Sequence, residues 1–221
     1  MSITSTRLAG VSGIGFVLLM LGRVFFSPDG GDPNDSAATI AAKVALHSTG
    51  LLADHAAGGF AAILLVLFAA GLCDHLRERG APTLARAAFG GAIAIFAVVT
   101  IEHALGSALA YSIADGGDLA LVRAFYDTDF IVEALARFPM ALFVGATTVA
   151  ALRTGAFSRT LARAGIATAT LQLIGGIAVG HAGLLALNGP ASVLSLLAFV
   201  FWSLAVAVSL TRRTAARAVM A

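Results

Sequence analysis

The stretch FAVVTIEHALGSALAY, residues 96–111, sets a carboxylate and an imidazole, Glu102 and His103, side by side in a run otherwise suited to lipid. It belongs to an apolar segment at 87–113, long enough to cross a bilayer, which takes roughly 17–25 helical residues. Five further segments of this kind read at 8–27, 51–73, 128–152, 161–187 and 191–211. Of the 221 residues 59% are hydrophobic and 12% charged, with a mean hydropathy of +0.93. Those values lie well outside the soluble globular range. The sequence therefore predicts an all-α fold, a polytopic membrane bundle of six transmembrane helices that forms one integral membrane domain over residues 1–221.

Orientation is expected to follow the cations. Arg7, Arg77, Arg79, Arg86, Arg153, Arg159, Arg163, Arg212, Arg213 and Arg217 fall on one side. The other has Lys43 and Arg123 among Asp29, Asp32, Asp35, Asp115, Asp118 and Asp127. Both termini are accordingly expected to be cytoplasmic, in a multi-pass protein of the bacterial cytoplasmic (inner) membrane. This asymmetry accounts for the net charge of +2, so the charge gives no argument for a nucleic-acid partner. The sequence FFSPDGGDPND after the first segment offers no small-residue cleavage site, and the segment reads as a retained helix. Cys73, the lone cysteine, excludes an internal disulfide and a thiolate metal cage.

The outer connections carry the bulk of the loops. DPNDSAATIAAKVALHSTG predicts a turn and a short outer-face helix, capped by Asp35 or Ser36 and broken near Gly50. A second outer-face helix is expected at 118–126. Pro190 suits the first turn of the last helix, whereas Pro139, inside the fourth segment, removes a backbone bond to residue 135 and predicts a kink. Glycines at 58–59 and at Gly176 and Gly180 permit close helix packing. No internal repeat is read. The segments TRLAGVSGIGF (6–16) and RFPMALFVGATTVAALRTGAFSRTLARAG (137–165), with the loop and helix leading into the second span, resemble a group of small bacterial six-helix integral membrane proteins of unassigned activity. The resemblance covers about residues 6–175 and implies topology, with no functional residues to carry over.

Polar groups within the spans share a depth. Arg23, Asp54, His55, Glu102, His103, Glu133, Arg137, Gln172 and His181 all fall in the outer half or near the middle. Glu102 stands sixteen residues from Arg86, about 24 Å along a helix at 1.5 Å per residue. Each charge at mid-membrane costs roughly 2.5–3.5 kcal/mol, so the arginines and glutamates must pair or face water. Glu133 and Arg137 are spaced i, i+4 with the acid first, the favourable order. Tyr126 and Asp129 extend that stripe outward, which leaves Arg23 to meet Glu102 or Asp54. On the third helix Thr100, His103, Ser107 and Tyr111 share a face and Glu102 lies one step round, so Glu102 and His103 are expected to address different neighbours.

These residues point to an integral membrane enzyme with an outer-leaflet-facing polar pocket. Its expected chemistry is acid/base isomerisation or cyclisation of a lipophilic small molecule, of polyene, epoxide or terpenoid type. Glu102, His103 and Glu133 are the candidate proton donors and acceptors. Arg23, Asp54, His55, Tyr111, Asp129, Arg137, Gln172 and His181 are candidates for substrate binding or charge stabilisation. Neither a cofactor nor a metal is expected, and membrane lipid is the other partner. Two alternatives stand beside this reading. One is a non-enzymatic small-molecule binding or transport protein; the other is a metal or haem protein built on His55, His103 and His181 with Glu102 or Glu133, which lacks any compact ligand spacing.

Overall fold

The computed structural model describes residues 3–219; the side chains of 3–6 and 213–219, and with them those of Arg213 and Arg217, lie outside the described set. Every regular element among the described residues is helical: α1 (Ile3–Phe26), α2 (Ala37–Glu78), α3 (Pro82–Ala108), α4 (Leu119–Leu135), α5 (Arg137–Thr154), α6 (Arg159–Gly176) and α7 (Pro190–Val219). A π turn, Leu109–Ile113, and a 3-10 turn, Ala114–Gly116, extend α3. Five stretches are long and apolar enough to cross a membrane, with α4 and α5 together forming one of them and α6 outside the set.

Local chemistry explains where these helices start and bend. Ser36 caps α2 by accepting from the Thr39 amide at 3.2 Å. The helix then runs for 42 residues and bends at His47 (φ −111°, ψ 15°), three residues before Gly50. The expected outer-face helix is thus the first part of α2. That at 118–126 is likewise the start of α4, capped by Asp118, whose Oδ1 accepts from Ala120 and Leu121. At Pro139 the fourth segment is interrupted. That residue has no N–H for the carbonyl of Leu135, and α4 ends at Leu135 while α5 starts at Arg137.

The fifth segment departs most from expectation, because α6 stops at Gly176 and 177–189 forms a loop. Gly175 lies against Ser195 of α7, and Gly176 against the ring of Phe138. Beyond them the chain satisfies its backbone locally: the Gly180 amide donates to Leu185 at 2.8 Å, and the Leu187 amide returns to Gly180 at 3.1 Å. An apolar composition that reads as span is here a self-bonded loop.

Consecutive helices pack side by side, with α5 continuing from α3, and α1 meets α7 to close a ring. A large apolar core occupies one half of the interior. Phe143 stands at its centre, 6.2 Å from the Phe68 ring, 6.3 Å from Phe199 and 6.1 Å from Trp202. Exposed arginines 77, 79, 86, 153, 159 and 163 flank the short turns at one end, where the His75 and Phe157 rings meet at 5.7 Å. At the opposite end a small second core of Ile40, Val44, Leu109, Val122 and Tyr126 lies under the long loop. Arg123 ties that loop to α4 through the carbonyls of Pro33 (2.8 Å) and Asp35 (3.0 Å). Asp29 and Asp35 both hold Lys43 at 3.1 Å. Backbone amides of Gly31 and Asp32, more than Lys43, hold their carboxyls below the usual carboxylate range.

Candidate functional site

Between this apolar core and the long loop at the opposite end lies a cavity of about 470 Å³. Its walls are apolar, with Phe16, Met20, Leu65, Ile95, Met140 and Phe199 among them, and its polar lining is Arg23, Ser27, Asp54, Glu102, Glu133, Arg137 and Asn188. Each charged group arrives from a helix, so its position is fixed by packing rather than by a mobile loop. The charges are largely sorted into pairs. Arg23, in the last turn of α1, holds Asp54 of α2 with a fork: Nε to Oδ1 and Oδ2 at 3.2 Å, and Nη2 to Oδ2 at 3.0 Å. Arg137 is only 2% exposed, and its Nη2 donates to Glu133 Oε1 at 2.8 Å. That confirms the i, i+4 pair read from the sequence, although it crosses the α4–α5 break.

Arg23 also fixes His103. Its Nη1 lies 3.2 Å from His103 Nε2, and a guanidinium can only donate. Nε2 must therefore accept, which leaves the ring proton on Nδ1. That nitrogen sits 3.2 Å from Glu102 Oε1, off the line of a good hydrogen bond. Glu102 and His103 thus touch each other, contrary to the expectation of separate neighbours. Among the described residues no arginine or lysine lies within ion-pair distance of Glu102, so of the two partners expected for Arg23 the structure selects Asp54.

The two histidines are interlocked. The rings of His55 and His103 stack at 5.6 Å with 27° between their planes, and His55 Nδ1 faces Ser107 Oγ at 3.3 Å. Gly58 of α2 lies directly against His103, and Gly106 of α3 against His55. The sequence carries the signal for this. Asp54-His55-Ala56-Ala57-Gly58 and Glu102-His103-Ala104-Leu105-Gly106 share the pattern acid-His-Ala-x-Gly, a local match that the sequence reading did not pick out. The turn at 79–81 makes α2 and α3 an antiparallel hairpin, so two copies of a His-x-x-Gly spacing meet head to tail. Each glycine leaves the space that the other helix's imidazole fills. The copies differ in their acids, since Asp54 is neutralised by Arg23 while Glu102 faces the chamber without a cation.

The remaining sequence candidates lie elsewhere. Asp129 Oδ1 is buried near Gly106, beside His55 rather than in the chamber. Tyr111 is 78% exposed. Gln172 is fully buried, with its amide donating to the Ser195 carbonyl between α6 and α7. His181 lies in the 177–189 loop and lines a separate pocket of about 230 Å³ with Asp32, Arg123 and Asp127. Asn188 of that loop borders both cavities. His55, His103 and His181 therefore do not converge, and among the described residues no set of three or more His, Cys, Asp or Glu side chains is gathered for a metal ion. The chain matches no family model, no curated protein and no solved structure.

Proposed function

We propose that the chain is a multi-pass membrane enzyme that isomerises or cyclises a lipophilic small molecule by moving protons to and from carbon. The single observation carrying this is the position of Glu102. Its carboxyl faces the cavity while both guanidiniums there are taken, Arg23 by Asp54 and Arg137 by Glu133. With the histidines neutral, the chamber is electrically balanced when Glu102 holds a proton and singly negative when it does not. Glu102 is therefore the group whose proton can change without breaking an ion pair. The apolar walls suit a hydrocarbon body, and an apolar surround strengthens the polar contacts made inside it. His103, held by Arg23, keeps Nδ1 within 3.2 Å of the Glu102 carboxyl.

In an isomerisation Glu102 takes a proton from one carbon and returns it to another. In a cyclisation the protonated carboxyl gives its proton to an alkene or epoxide, ring closure moves the positive charge along the chain, and Glu102 or Glu133 removes a proton from the product. Neither route needs an oxidant or a soluble cofactor. The apolar core around Phe143, on the arginine-flanked side of the chamber, favours a one-sided chamber over a transport path.

The enzyme reading predicts that purified protein, incubated in D₂O with a bacterial lipid extract, places carbon-bound deuterium in a lipophilic compound, seen as a mass increment. Extracts that gain none beyond heat-denatured controls would remove the proposal. We place six spans in a bacterial cytoplasmic membrane, α6 being the sixth, with both termini on the arginine-rich side. Reporter fusions at either terminus should give the cytoplasmic signal, and an external signal from either would reverse this orientation.

A further inference from the structure

Once Glu102 is ionised, the charges that line the chamber do not cancel. Arg23 and Arg137 stand against Asp54, Glu133 and Glu102, and both guanidiniums are already engaged, by Asp54 and Glu133. His103 is not the missing cation. A protonated ring would turn an Nε2–H toward Arg23 Nη1, and a guanidinium has only donors to offer it.

The acids are also the more accessible side of this balance. The Glu133 side chain is 35% exposed and that of its partner Arg137 2%. Neither Glu102 oxygen accepts a hydrogen bond from a described residue, and neither is sealed off in the way that Asp129 Oδ1 and His103 Nδ1 are. An ionised carboxyl in an apolar-walled cavity, with no cation and no donor bonded to it, carries an uncompensated charge.

We propose that the chamber is a binding site for a lipophilic organic monocation, a quaternary or protonated amine, whose charged end sits against Glu102 in the place a proton otherwise holds. The proposal goes beyond the acid–base reading, because it names a ligand class that requires no proton transfer to carbon. One positive charge is called for because one restores neutrality. An anion is disfavoured, since it would add negative charge beside two accessible acids in an apolar surround. A bare metal ion is disfavoured because it takes several oxygen or nitrogen ligands. Among the described residues no three His, Cys, Asp or Glu side chains are gathered to supply them. An organic cation brings an apolar body of its own, and Phe16, Met20, Leu65, Ile95, Met140 and Phe199 form the walls it would lie against. The cavity's volume of about 470 Å³ lies within the range of small-molecule sites.

The test uses the full chain in dodecyl maltoside, whose micelles carry no charge. The probes share one compact skeleton: the 1-adamantyltrimethylammonium cation, its uncharged carbon counterpart 1-tert-butyladamantane, and 1-adamantanecarboxylate. Tritiated cation is titrated against the protein with the other two as competitors, and each affinity is referred to the probe's concentration in the micelle. The cation should bind about tenfold more tightly than its uncharged counterpart, and the carboxylate more weakly than either. Glu102→Gln should lower the cation's affinity about tenfold, with helix content kept and the uncharged counterpart bound as before. That difference separates a charge contact from a change of shape. Equal binding of cation and counterpart, tighter binding of the carboxylate, or an unchanged cation affinity in Glu102→Gln would each overturn the site. Should that variant not fold, the three probes on the unaltered protein decide alone. The two proposals fail separately. Deuterium incorporation into a lipid without preference for the cation sinks the cation site only. Glu102-dependent cation binding, in a chain that deuterates no lipid, sinks the acid–base reading only.

Discussion

Replacing Glu102 by Gln is expected to lower the transfer of solvent hydrogen to carbon by about 10²–10⁴, with helix content and thermal unfolding unchanged. The amide keeps the volume of the carboxyl and its hydrogen-bonding capacity but has no acidic proton to give and no carboxylate to take one. Folding should survive because no ion pair is broken: Arg23 keeps Asp54 and Arg137 keeps Glu133. His103→Asn is the companion. It removes the acceptor that faces Arg23 Nη1 and the ring that stacks on His55, so it should cost stability and a smaller part of the turnover, as befits a positioning residue. Normal turnover in Glu102→Gln, measured by deuterium incorporation, would exclude Glu102 as the proton carrier and leave a binding role for the chamber.

What the sequence disclosed about this site was local, and what it hid was relational. The Ser36 cap, Pro190 at the start of α7, the break near Pro139 and the Glu133–Arg137 pair each depend on residues within one turn of each other. Their physics is complete in a short window. The partner of Arg23 is not, because the choice between Asp54 and Glu102 depends on how α1, α2 and α3 pack. The early end of α6 was hidden for another reason. Residues 177–187 are apolar enough to read as span, and only the Gly180–Leu185 backbone bonds and the packing of Gly175 and Gly176 show that the helix has ended. Gln172 and His181 were placed in the site by depth alone, and depth does not fix direction. The acid-His-Ala-x-Gly pair was present in the letters throughout. Five residues make no repeat until an antiparallel hairpin brings the two copies face to face.

That pairing gives two adjacent glycines opposite expected behaviour. A methyl group added at Gly58 would fall 2.5 Å from Arg23 Nη1 and nearer still to His103 Nε2, whereas one added at Gly59 would meet nothing within 4 Å. Gly58→Ala should therefore destabilise the protein by about 1–3 kcal/mol, the usual cost of overpacking, because a buried imidazole and the guanidinium it faces must both give way. Gly59→Ala should instead stabilise by about 0.5–1 kcal/mol, since alanine loses less backbone freedom in a helix interior. Gly106→Ala should behave like Gly58→Ala, its added carbon lying 2.5 Å from His55 Cε1 and 2.6 Å from Nε2. The double variant, Gly58→Ala with Gly106→Ala, should cost less than the sum of the singles. Either methyl alone already separates α2 from α3 at the histidine stack, and residues that share one contact do not add independently. Unfolding of the four variants in detergent checks the whole pattern. Equal effects at Gly58 and Gly59 would mean that the helices do not interlock through the histidines, and a fully additive double would mean that the two glycines act at separate contacts.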